Sequence, residues 1–110
     1  MRTIISRRIA IKHIRTTAEV FPPGDFIREE LESRGWSQGD LARIIGRPLQ
    51  MVNQIINARK AITAQTAKEL GAALGTGPEV WMNLEVQWQL RSAPEPDQAI
   101  VKRAKAAMAA

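Results

Sequence analysis

LARIIGRPLQMVNQIINARKAIT, residues 41–63, carries two apolar stripes at helical spacing. Leu41, Ala42, Ile44 and Ile45 form the first, and Val52, Ile55 and Ile56 the second. Between them stand Gly46, Arg47 and Pro48. Ser37 offers an N-cap to the first helix, with Asp40 three residues on in the manner of a capping box. Gly46 ends that helix. Pro48 suits the first turn of the next, where its missing N–H is unused. The second helix is expected over about residues 48–57.

Two short helices joined by a tight glycine turn form a helix-turn-helix. The helices cross closely, so the first needs a small residue at the contact, and Ala42 stands there. The turn needs a positive φ, which Gly46 reaches without a Cβ clash. Val52 and Ile55 pin the second helix to the first, which leaves its other face for a major groove. That face carries Leu49, Gln50 and Asn53, with Gln54 and Asn57 at the shoulder. Asn and Gln pair with adenine through two hydrogen bonds, and an apolar side chain such as Leu49 meets a thymine methyl. Leu49, Gln50, Asn53 and Gln54 are therefore the candidates for base readout. Gln38 opens the first helix, where side chain and backbone N–H groups reach a phosphate. Arg43, Arg47, Arg59 and Lys60 flank the groove as backbone contacts. Asn57 joins them, although ending the second helix is its simpler role. Amides on an exposed helix are usually just solvated; the spacing of Ala42, Gly46, Val52 and Ile55 is what favours DNA.

Outward from this motif the chain stays helical. FPPG, residues 21–24, reads as a break. A helix follows, opened by Asp25, carrying Ile27 and Leu31 on one face and ended by Gly35. Thr63 caps a fourth helix with inner face Ala67, Leu70, Ala73 and Leu74. GTGP, residues 75–78, breaks again. A fifth helix carries Val80, Trp81, Leu84 and Trp88. The tryptophans read as core rather than as a ligand cage. Trp81, Leu84, Trp88 and Leu90 together exceed what so small a domain buries alone, so they are candidates for a homodimer contact. The expected class is all-α, with a five-helix domain over residues 21–91. Residues 1–20 form a basic arm in which Ile9 and Ile11 alternate as in a strand. Residues 92–110 are an alanine-rich tail with helix propensity.

The chain of 110 residues has a net charge of +5. Basic residues collect in the arm (Arg2, Arg7, Arg8, Lys12, Arg15) and around the helix-turn-helix, whereas Asp25, Glu29, Glu30 and Glu32 make the helix opened by Asp25 acidic. Such basic patches suit a polyanion. The absence of cysteine excludes a disulfide framework. No stretch approaches the ~20 apolar residues needed to span a bilayer, and no signal peptide is evident. A cytoplasmic protein is expected. His13 has no partner at metal-ligand spacing, and Ser6, Ser33, Ser37 and Ser92 lack a base for a triad. No glycine-rich phosphate loop is present. Neither catalysis, a metal nor a cofactor is expected.

Residues 41–85 resemble the Xre-type helix-turn-helix of HigA-family antitoxins. PPGDFIREELESRGWSQGDLA follows the family's opening of Pro-Gly-acid and a helix that ends before a Ser-Gln step. GTGPEVWMNLEVQWQL follows its Gly-Thr-x-Pro-Glu-aromatic-Trp-x-Asn-Leu-Gln pattern. The likeness spans roughly residues 22–91. It implies a lambda-repressor-like domain that binds palindromic operator DNA as a dimer. It further implies repression of a toxin–antitoxin operon and, in many members, neutralisation of a small basic HigB-type toxin that cleaves mRNA. Related proteins are free-standing regulators, and a protein-interaction module with weak DNA binding is a third alternative. Carried onto this chain, Gln38 contacts phosphate, while Gln50, Asn53 and their neighbours read bases. Four positions depart from the pattern. Arg47-Pro48 replaces a small residue and a hydroxyl residue, Met51 replaces a Thr or Ser, and Ala58 replaces a common glycine, which strains or reshapes that turn.

Overall fold

The computed structural model describes residues 20–109. Within them lie six helices: α1 (Pro23–Arg34), α2 (Gln38–Ile45), α3 (Leu49–Ile56), α4 (Ala64–Leu74), α5 (Pro78–Ser92) and α6 (Ala99–Ala109). Five make the packed domain, and the sixth is the alanine-rich tail. There is no strand among the described residues. The basic arm and its strand reading at Ile9 and Ile11 lie outside them.

Several helix ends have a local reason. Ser37 and Asp40 close the expected capping box: Asp40 N–H donates to Ser37 Oγ at 3.0 Å and Ser37 N–H to Asp40 Oδ2 at 2.8 Å. Thr63 Oγ1 accepts from Thr66 N–H at the start of α4. Gly46 takes φ 71° at the end of α2, as the turn demands. FPPG is not wholly a break. Pro22 is the N-cap and Pro23 is already helical, because the fixed φ of proline fits a first turn. Gly24 is required by contact: a Cβ there would stand 1.8 Å from the carbonyl oxygen of Ile56. The first turn of α1 thus lies against the backbone end of α3.

The core is filled from every helix of the domain. Phe26, Ile27 and Leu31 come from α1; Leu41 and Ala42 from α2; Val52, Ile55 and Ile56 from α3. Ala67, Leu70 and Leu74 of α4 face Trp81 of α5, and Ile62 of the preceding loop closes the set. Ile44 does not join its expected stripe and is 49% exposed. At 3.6 residues per turn it lies about 200° around the helix from Ala42, so the buried side of α2 is Leu41, Ala42 and the half-buried Ile45. Trp36 packs half-buried on the core, with the Arg34 guanidinium 5.5 Å from its ring centre. Glu85 is buried, and sequence reasoning missed it. Its Oε1 accepts from Ile62 N–H at 3.0 Å and its Oε2 from Gln89 Nε2 at 2.8 Å, which ties the α3–α4 loop to α5. α6 buries none of its residues. No helix among the described residues is long and apolar enough to cross a membrane.

Candidate nucleic-acid interface

α3 is eight residues long, and packing fixes which side it shows. Val52, Ile55 and Ile56 are 2%, 4% and 1% exposed. On the opposite side Leu49, Gln50 and Asn53 are exposed, while Gln54 and Met51 are half-buried. Pro48 is the N-cap and supplies no side-chain acceptor, so the first N–H groups of α3 rely on solvent or a ligand.

The two amides assigned to different parts of a duplex touch each other. Asn53 Nδ2 donates to Gln38 Oε1 at 3.1 Å. Gln38, the first residue of α2, thereby orients an amide on α3. Its own NH2 group is left to donate, and Asn53 Oδ1 is left to accept. Asn57 has the capping role. Its Nδ2 donates to the Asn53 carbonyl at 3.0 Å, and its Oδ1 accepts from Arg28 Nη2 at 2.8 Å. Arg28 also donates to Asp25 Oδ1 at 3.1 Å. Nothing local in the sequence points to Arg28, since it and Asn57 are 29 positions apart.

The expected phosphate cations fall into two groups. Arg43 donates to Asp40 Oδ1 at 2.6 Å from an otherwise exposed side chain. Arg47 makes a side-on pair with Glu69 of α4, Nε to Oε1 at 2.9 Å and Nη2 to Oε2 at 2.7 Å. This candidate backbone contact is thus tied to another helix. Arg59 and Lys60 are exposed in the α3–α4 loop, and no ion pair involves them among the described residues. The electrostatics follow this pairing. The Arg47 guanidinium holds the Glu69 carboxyl below its usual range, and the carboxylate raises Arg47 further. The backbone N–H of Ser37 and then the Arg43 side chain hold Asp40 low.

The loop leaves α3 through Ala58 at φ 60°, the left-handed region. Ala58 N–H donates to the Ile55 carbonyl at 3.1 Å and Arg59 N–H to the Gln54 carbonyl at 2.8 Å. This is a glycine geometry built on alanine.

The four dimer-contact candidates separate. Trp81 is only 2% exposed, and its Nε1 donates to Thr76 Oγ1 at 2.8 Å. It belongs to the core of its own chain, because the first turn of α5 turns it inward against α4. Leu84 packs half-buried on the core. Trp88 helps line an open cleft of about 360 Å³ between the α3–α4 loop and the second half of α5. Leu90 is 69% exposed, and Val80 and Val86, which were not among the four, are also exposed on α5. No group of three or more His, Cys, Asp or Glu that could hold a metal occurs among the described residues.

The sequence pattern of the helix-turn-helix family matches residues 27–81. An uncharacterized HTH-type transcriptional regulator of Escherichia coli (strain K12), YddM, is 30% identical over 71 residues, which is 64% of this chain and 76% of that protein. Among solved structures, the antitoxin GraA shares 38% identity at a TM-score of 0.64, over 66% of this chain and 80% of its own. The Pseudomonas aeruginosa antitoxin HigA, solved with the higBA promoter, shares 31% at a TM-score of 0.64, over 67% and 82%.

Proposed function

This chain belongs to the helix-turn-helix family, with HigA-family antitoxins among its structural neighbours, and from that premise we propose that it is a sequence-specific DNA-binding antitoxin that represses its own operon. The observation that carries the reading is the outward face of α3, where exposed Gln50 and Asn53 stand beside Leu49 and where Gln38 orients Asn53. In the bound state α3 lies in a major groove, with Leu49, Gln50, Asn53 and Gln54 against base edges. Gln38, Arg43, Arg59 and Lys60 follow the backbone, with Arg47 and Asn57 at the two ends of α3. A homodimer presents two such helices about 34–36 Å apart to an inverted repeat. Leu84, Trp88 and Leu90 of α5 are its contact candidates. The partner is a small basic toxin of the HigB type that cleaves mRNA, held by the antitoxin until it is needed.

A second reading is a free-standing regulator without a toxin; the relative YddM is named only as a transcriptional regulator. Fluorescence anisotropy on the duplex upstream of the chain's own gene, against a scrambled duplex over a salt series, tests the common part of both. Tight, sequence-dependent binding with a log–log slope of several units is expected. Equal, weak binding to both duplexes overturns it. Co-purification with the product of the adjacent gene then separates antitoxin from free-standing regulator.

A further inference from the structure

Arg47 stands one residue before Pro48, the N-cap of α3, at the helix end whose residues meet base edges in a docked helix-turn-helix. Glu69 reaches it from α4, 22 positions further along the chain. Two parallel hydrogen bonds join them, and both side chains are largely covered, at 30% and 23% exposure. Arg43 is held differently, by one contact within its own helix and at 76% exposure. Among the described cations of the helix-turn-helix, Arg47 is thus the one gripped side-on by another helix.

A guanidinium has five N–H groups in a planar fork. Glu69 takes the Nε–H and one on Nη2, so the Nη1 pair and the second Nη2 hydrogen remain. That edge has the geometry for a phosphate oxygen pair, and it cannot rotate away while Glu69 holds the other. The same carboxylate cancels the charge of Arg47 at long range. Binding to arbitrary DNA rises with the number of cations available to displace counterions, so a paired arginine adds little to it.

Resting on the reading of α3 as the DNA-reading helix, we propose that Glu69 is a positioning residue for operator recognition. It fixes Arg47 so that its free edge bonds one backbone phosphate in the operator complex, and it withholds the charge of Arg47 from arbitrary duplexes. Sequence gave no sign of this role, because the pair is formed across the fold.

Two variants of the full chain test the proposal by operator affinity, scrambled-duplex affinity, salt slope and thermal melting. Glu69→Gln keeps the shape of the side chain and removes its charge. Its affinity for the scrambled duplex is expected to rise severalfold with a slope steeper by about one, while operator affinity does not follow, so the preference for operator falls by the same factor. Arg47→Lys keeps the charge and loses the fork. It is expected to lose roughly tenfold on the operator and to change scrambled-duplex affinity far less. A merely structural tie lowers the melting temperature and shifts both affinities by one common factor in both variants; that result overturns the proposal. If the wild-type chain does not distinguish the two duplexes, the regulator reading fails first and takes this proposal with it. Wild-type discrimination with no change in either variant removes the proposal alone.

Discussion

The two faces of α3 differ in what holds them. The inner face is almost fully buried through Val52, Ile55 and Ile56, whereas the outer face leaves Leu49 53% exposed beside Gln50 and Asn53. An eight-residue helix is too short to persist in water, and this one has no side-chain N-cap. Its existence therefore depends on the inner face, and its outer face is released from any structural duty. α6 makes the contrast sharper. It is longer, at eleven residues, and richer in alanine, yet it buries nothing. α6 has propensity alone, at a length that is marginal in water, whereas tertiary contact gives α3 a fixed orientation.

Breaking the inner face has the largest expected effect. Ile56→Ala removes a side chain that is 1% exposed, next to the close approach of Gly24, and is expected to cost about 2–5 kcal/mol of stability. Chemical denaturation measures it. DNA binding should be lost in step with the folded fraction and not beyond it. A loss of binding in chains that remain fully folded contradicts the division of labour between the faces. Gln50→Ala tests the other side. Operator affinity is expected to fall by ~1–3 kcal/mol while the denaturation midpoint stays in place. An unchanged operator affinity moves base readout away from this face.

The inner face was legible in the sequence because it depends on one-dimensional spacing: Val52, Ile55 and Ile56 repeat at the helical period, and Ser37, Asp40, Gly46 and Thr63 mark the ends. Ile44 was misplaced because a helix of eight residues with four apolar positions does not define a single stripe. Trp81 reads as core, and the structure buries it; it was also a dimer-contact candidate because size and apolarity alone do not say whether a side chain on α5 is covered by its own chain or by a second copy. The polar pairs were not legible at all. Gln38–Asn53, Arg28–Asn57, Arg47–Glu69 and Glu85 with Ile62 join residues 15 to 29 positions apart, and nothing short of the packed fold brings them together. The chemistry of the outer face was therefore readable as residue types, but its preorganisation was not.

Ala58 lies where the two faces end together, and it carries the smallest effect. A left-handed alanine suffers a Cβ–carbonyl clash that glycine avoids, and glycine in exchange loses more chain entropy on folding. The balance favours Ala58→Gly by about 0.5–1 kcal/mol, or roughly 3–5 °C in melting temperature. Operator affinity should change by no more than about twofold, because glycine retains φ 60° and the turn still delivers Arg59 and Lys60 to the same place. A stabilised variant with weakened operator binding has a different meaning. The alanine would then be restricting the loop so that Arg59 and Lys60 stay on the backbone, and the outer face would extend past Asn57 into a turn whose strain serves binding.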